Sequence, residues 1–350
     1  MIKYFRLLII YLINMVTDQA GEDILAKVAR ELVAPRKGIL AADESTGTMK
    51  KRLDAIGVEA TPENRSIWRE IMVGAQGIEE AISGEILFDE TLRSPLPNGK
   101  MIADLLKSKN IHPGIKVDLG VVKINEQGES FTQGLDKLEA RLLEYKNMGA
   151  TFAKWRAVYK VGEKMPSAVA ITSNSVGLAQ YALLCQRVGL VPIVEPEILV
   201  LEGNHDINKS KEVTTVVLKD VFYWLKQFGV QLNGMLLKPN MVLPGKDSQN
   251  KSTAEEIARL TVETLKATVP AEVPGIVFLS GGLTPDQSTE YLKTMNAMHP
   301  GLPWQLSYSF GRALQQEALQ AWMGKSENVK AAQDAFMIRA KKVSSARDGK

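Results

Sequence analysis

The strongest constraint in this sequence is an alternation: short apolar or β-branched runs recur from residue 20 onward, separated by longer stretches with helical spacing. That pattern reads as βαβ units feeding a parallel sheet. The runs are GILAAD (38–43), AISGEILF (81–88), GIKVD (114–118), FAKWRAVYK (152–160), VPIVEPEI (191–198), GMLLKPNM (234–241), GIVFLSGG (275–282) and QLSYSF (305–310). Eight repeats with no Gly/Ser- or Pro-rich linker between them predict one α/β domain closed into a (β/α)8, or TIM, barrel rather than two doubly wound halves. Such a barrel takes about 250 residues, so a chain of 350 leaves room for insertions.

Helix punctuation agrees with this reading. Ser252-Thr253-Ala254-Glu255 reads as a capping box ahead of Ile257, Leu260 and Leu265. Gly189 is expected to stop the helix that carries Cys185, and Thr284-Pro285 to start one just past Gly281-Gly282.

Composition excludes several functions. With 45% hydrophobic and 24% charged residues the chain composes like a soluble globular protein. Its 43 basic and 40 acidic side chains leave a net charge of +3, and no Lys/Arg tract is interleaved with aromatics, so nucleic acid is not an expected partner. The single cysteine, Cys185, shares a helical face with Leu178 and Ala182, as a buried small hydrophobe would, and no disulfide framework is possible. Near the N-terminus, YFRLLIIYLINMV is apolar but broken by Arg6 and Asn14, and too short to span a bilayer. The expected division is an apolar extension over residues 1–14, from a mis-called start with translation beginning at Met15, and a barrel domain over 15–350. The alternative for the extension is a weak membrane-surface or targeting segment.

In a barrel of this kind the reacting groups sit at the carboxyl ends of the strands. Asp43 closes the first run, Lys116 and Asp118 the third, Lys154 and Arg156 lie in the fourth, Glu195 and Glu197 in the fifth, and Lys238 in the sixth. A charge inside an apolar strand is costly to desolvate unless paired. One such residue alone is usually a salt-bridged structural group, but three lysines among carboxylates indicate a site. Crowded ammonium groups lower one another's pKa, and a partly neutral lysine is the nucleophile that carbonyl chemistry needs. A phosphate site is suggested separately by Ser280-Gly281-Gly282 after the seventh run and Ser309-Phe310-Gly311-Arg312 after the eighth, where barrels present backbone N–H groups and a helix N-terminus to an anion. Arg52 and Lys116 could hold a second phosphate across the opening.

At these residues the motifs become specific. LAADEST, GIKVD, FAKWR, VPIVEPEIL, LLKPNMV, FLSGG and SFGRALQ, in that order and from about residue 20 to about 340, resemble the successive motifs of class I fructose-bisphosphate aldolases. The resemblance implies that Lys238 is the Schiff-base lysine, Glu195 the main general acid/base, and Asp43 the group that handles the C4 hydroxyl proton. Lys154 would stabilise the carbinolamine, with Glu197 as a neighbouring carboxylate that tunes it. Ser280, Gly281, Gly282, Ser309, Gly311 and Arg312 would hold the 1-phosphate, and Arg52, Lys116, Ser45 and Thr48 the 6-phosphate. Two departures stand out. Many animal members end in a tail whose final tyrosine visits the active site, whereas the last tyrosine here is Tyr308, which puts the preference for bisphosphate over fructose 1-phosphate in doubt. Leu119 also stands where the family often carries a charged residue.

The implied reaction is reversible cleavage of the C3–C4 bond of fructose 1,6-bisphosphate, in glycolysis, gluconeogenesis or the Calvin cycle, without cofactor or metal. Dihydroxyacetone phosphate and glyceraldehyde 3-phosphate are the products. A metal-dependent aldolase would need clustered histidines, yet His112, His205 and His299 never fall at i+2 or i+4. A phosphosugar-binding barrel without catalysis would tolerate loss of Lys238, which is present. The expected partners are a phosphorylated sugar and further copies of the chain, a tetramer first and a dimer second, with no nucleic acid and no membrane. The expected compartment is the cytoplasm, with the plastid stroma as the alternative.

Overall fold

Ten strands form in the structure, a computed structural model that describes residues 23–350. In chain order they are β1 (Gly38–Ala42), β2 (Ile82–Leu87), β3 (His112–Lys116), β4 (Val121–Lys123), β5 (Ser130–Thr132), β6 (Phe152–Tyr159), β7 (Val191–Ile198), β8 (Leu236–Leu237), β9 (Gly275–Phe278) and β10 (Gln305–Phe310). Eight of them close a parallel barrel in the order β1-β10-β9-β8-β7-β6-β3-β2. Each of the eight apolar runs contributes one barrel strand, and helices alternate with the strands around the outside. The closed (β/α)8 architecture is therefore the one expected.

Four local readings change. The sixth run shrinks to Leu236–Leu237, and Lys238 lies just past the strand rather than in it. Its N–H still donates to the Val194 carbonyl at 2.8 Å, but Pro239 has no N–H with which to continue the ladder. The insertion between β3 and β6 folds into an antiparallel hairpin, β4 with β5, which three-residue strands do not advertise in a sequence. The helix Ala254–Thr268 is capped by Thr253, which accepts from the Glu256 N–H, so the cap sits one residue beyond Ser252. Thr284 does form a full capping box with Gln287, and the helix carrying Cys185 ends at Arg187 ahead of Gly189. Finally, the barrel is closed from below by a helix that precedes β1, Ile24–Leu32, capped by Asp23. The apolar extension of residues 1–14 lies outside the described residues.

Period-two alternation divides each strand between barrel interior and helix layer. Inward residues Ile39, Ala41, Ile86, Phe152, Val191, Ile193, Leu236 and Val277 form one buried cluster with Leu25, Ala29 and Leu32 of the lower helix. Outward residues join a second cluster with the surrounding helices, where Cys185, Leu178 and Ala182 are fully buried. The lower plug is tight: a Cβ on Gly114 would lie 2.1 Å from the Phe152 ring, so only glycine lets β3 pass there. The last long helix, Val329–Ala346, is followed by Arg347, whose guanidinium donates to the carbonyls of Val33, Ala34, Lys37 and Leu306 and to Gln305.

Candidate active site

At the opposite, carboxyl end the inward positions become charged. Asp43 follows β1, Lys116 ends β3, Lys154 and Arg156 occupy β6, Glu195 and Glu197 occupy β7, and Lys238 follows β8. All but Glu197 line a cleft of about 610 Å³ together with Ser45, Thr48, Arg52 and Asp118.

The centre is a chain of alternating charges. Lys238 Nζ lies 3.2 Å from Glu195 Oε1. Lys154 Nζ lies 3.2 Å from Glu195 Oε2 and 2.7 Å from Asp43 Oδ2. All four are largely buried, Lys154 and Lys238 to within 3% of complete. Burial alone would lower the pKa of Lys154, but Asp43, Glu195 and Asp118 outweigh it and push the ammonium well above the ordinary lysine range. Mutual depression among crowded lysines is therefore not what happens at Lys154, because the carboxylates set against it outweigh the effect of burial. Burial would raise Asp43, yet Lys154, Lys238 and Lys116 hold it well below the usual carboxylate range. Lys154 is thus a fixed cation and Asp43 a fixed anion at neutral pH.

Glu197 lines the recess toward β9 and β10 that reaches Lys238 and Glu195. It is ion-paired with Arg156 Nε. Burial would lower the pKa of Arg156, but Glu197 and Glu195 raise it further. Lys116 is held by Asp118, 2.6 Å from its Oδ1.

Toward β9 and β10 a second recess of about 480 Å³ is lined by Ser280, Gly281, Gly282, Ser309, Gly311 and Arg312, and it reaches Lys238 and Glu195. Its geometry suits an anion. The helix Arg312–Trp322 begins at Gly311 with no side-chain cap, so its first N–H groups are left for a ligand. Ser309 is 1% exposed and its hydroxyl has no partner in the protein. Gly282 has φ +88°, which lets the loop turn there. Arg52 borders both recesses, rather than the Lys116 side alone. Ser45 caps the helix Thr46–Asp54, accepting from the Thr48 N–H at 3.3 Å, and its hydroxyl lies 3.2 Å from that of Thr48.

Sequence reading passed over several residues here. Glu44, next to Asp43, carries Arg52 on one oxygen and Arg69 at 2.6 Å on the other. Gln315 donates to Glu44 at 2.9 Å and accepts from the Trp68 indole at 3.0 Å. An acid directly after a strand-end aspartate was the available signal for Glu44. Nothing in the sequence marked Gln315. Among the described residues, no group of three or more His, Cys, Asp or Glu side chains is placed to hold a metal ion.

A barrel with an ammonium buried against a carboxylate at its carboxyl end, beside an uncapped helix N-terminus, has the layout of an enzyme that does covalent carbonyl chemistry on phosphorylated substrates. The comparisons are narrower. The family model described as fructose-bisphosphate aldolase class I matches residues 24–350. "Fructose-bisphosphate aldolase 5, cytosolic" of Arabidopsis thaliana is 51% identical over 329 residues, covering 94% of this chain and 91% of that protein. The Dictyostelium discoideum fructose-bisphosphate aldolase is 49% identical over 332 residues, covering 94% and 92%. A solved fructose-bisphosphate aldolase from Plasmodium falciparum, in complex with TRAP and a small-molecule inhibitor, superposes with a TM-score of 0.92 at 47% identity, covering 93% of this chain and 94% of that one. This chain belongs to the class I fructose-bisphosphate aldolases, metal-independent carbon–carbon lyases that cleave a phosphorylated ketose through a lysine Schiff base.

Proposed function

We propose that Lys238 is the residue that bonds to the ketose C2 and that the groups around it divide the proton work. The observation that carries this reading is the Lys238–Glu195–Lys154–Asp43 chain, in which one carboxylate touches two ammonium groups. Glu195 reaches Lys238 directly, so it is the group able to take the ammonium proton and later protonate the C2 hydroxyl as water leaves. The iminium then accepts the electron pair from the breaking C3–C4 bond. Lys154, fixed as a cation, stabilises the oxygen of the carbinolamine. Asp43, kept ionised, takes the C4 hydroxyl proton as glyceraldehyde 3-phosphate departs, and protonation of the enamine followed by hydrolysis releases dihydroxyacetone phosphate. Glu197 acts through Arg156, holding that cation at the cleft wall.

The helix N-terminus at Gly311, the orphaned Ser309 hydroxyl, Ser280, Gly281, Gly282 and Arg312 are read as the 1-phosphate cradle. Arg52, Lys116, Ser45 and Thr48 are read as the 6-phosphate grip. Gripping both ends aligns C3–C4 with the lysine.

The cytoplasmic compartment is supported by relatives named cytosolic or cytoplasmic isozymes. A homo-oligomer, tetramer first and dimer second, is read from membership of the class I aldolase family. Sedimentation of the purified chain as a monomer would end the oligomer reading.

Borohydride added with dihydroxyacetone phosphate tests the central assignment. An iminium is a reducible C=N bond, so the sugar should attach irreversibly to Lys238 and activity should vanish. Peptide mapping that places the adduct on Lys154 or Lys116 would reassign the roles.

A further inference from the structure

One buried acid takes no part in this chemistry. Glu85 sits mid-strand in β2 and is 0% exposed, and neither of its carboxylate oxygens has a hydrogen-bond partner. Its neighbours across the ladder are Leu40 and Pro113. Ile86 next to it faces the barrel interior, so Glu85 faces the helix layer. The charged groups acting on it there are Arg69, on the helix Pro62–Gly74, and Glu44, just past β1. Burial pushes its carboxyl up to about 8, with Arg69 pulling the other way and Glu44 adding to the rise.

Arg69 Nη2 forms an ion pair with Glu44 Oε2 at 2.6 Å, and its Nη1 has no hydrogen-bond partner. Glu44 in turn holds Arg52, which lines both recesses of the cleft. Ion pairs thus run from Arg69 through Glu44 to an arginine at the substrate opening, and Glu85 acts on Arg69 without being bonded to it.

We propose that Glu85 is a proton-carrying positioning residue for the phosphate grip at Arg52. With Glu85 protonated, Arg69 belongs to Glu44 alone, the charge of Glu44 is shared by two guanidinium groups, and Arg52 is free to take a substrate phosphate. When Glu85 gives its proton to solvent, it draws on Arg69 through the free Nη1. Glu44 is then less neutralised and holds Arg52 back. The inference rests on the reading of Arg52 as a ligand of the far phosphate.

The test is KM across pH about 6 to about 9, bracketing the carboxyl's value of about 8. For fructose 1,6-bisphosphate, KM should climb a few-fold more in the native enzyme than in Glu85→Gln, whose amide cannot ionise, with kcat unchanged by the substitution. For fructose 1-phosphate, which lacks the far phosphate, the two proteins should give the same profile. Identical bisphosphate profiles overturn the proposal. So does equal flattening for both sugars, which would make Glu85 a packing residue.

Should Glu85→Gln not fold, the native enzyme still answers by reciprocal linkage. Calorimetric titration near its midpoint, in buffers of different ionisation enthalpy, should show more proton uptake for a hexitol 1,6-bisphosphate than for a hexitol 1-phosphate. Equal uptake overturns the proposal. Arg52→Ala separates the two levels. An unchanged bisphosphate KM removes the Arg52 reading and this inference with it, whereas a raised KM beside an unaltered Glu85→Gln profile removes the inference alone.

Discussion

The two ends of this barrel are made by the same strands with the same two-residue period, yet they are held together differently. At the lower end Phe152, Val191, Ile193 and Leu236 interlock with Leu25, Ala29 and Leu32, and volume fixes the arrangement. At the upper end Lys154, Glu195, Lys238 and Asp43 occupy the equivalent inward positions, and charge fixes it. Each buried ion there is tolerable only because its neighbour is opposite in sign. The comparison teaches that one pattern can carry stability at one end and reactivity at the other, so substitutions at the two ends should have separable effects.

The largest separation should come from Lys238→Met. Loss of a covalent nucleophile is expected to cut turnover by on the order of 10⁵-fold or more and to abolish borohydride labelling. Inorganic phosphate should still bind and circular dichroism should be unchanged, and a Met variant that still cleaves sugar would place the nucleophile elsewhere. Glu195→Gln should slow turnover by about 10²–10⁴-fold, while Lys238 remains open to labelling. Equal loss of labelling and turnover would mean that no other group takes the lysine's proton in its place, so that Glu195 limits attack by the lysine as well as the later proton steps.

At the lower end the expectation reverses. Phe152→Ala should cost about 3–5 kcal/mol of unfolding free energy, read from the denaturant midpoint, with kcat/KM within a few-fold of native. A large catalytic defect would show that the plug and the cleft are not independent. The smallest effect is expected from beginning translation at Met15, which keeps Asp23 and the lower helix. Stability should change by less than about 0.5 kcal/mol, and an insoluble shorter protein would assign the first 14 residues a structural part.

Most of this was legible in the sequence because the determinants are local. Apolar runs gave the eight strands, and ionisable residues closing them marked the cleft. What escaped depends on contacts between distant residues. Glu197 stands across the β6–β7 ladder from Val158 and reaches diagonally to Arg156, whose own ladder partner is Glu195, a pairing set by the register of two strands distant in sequence. The Trp68–Gln315–Glu44 chain joins residues up to 271 positions apart. Glu85 is a different failure. It stands inside ISGEIL as plainly as Lys154 stands inside FAKWRAVY, and the rule that singled out one should have singled out the other.

The clamp at Arg347 also fixes when this molecule can be finished. Its guanidinium reaches carbonyls 313 and 310 positions back, at Ala34 and Lys37. The first strand therefore waits for the synthesis of some 310 further residues before the one that secures it appears. At about 5–20 residues per second on the ribosome, that is a delay of tens of seconds in which the edge of β1 is open, and contacts this distant make ring closure the late and slow event of folding. A cell making this enzyme has an interval to guard in which β2 and β3 can form but the ring cannot close.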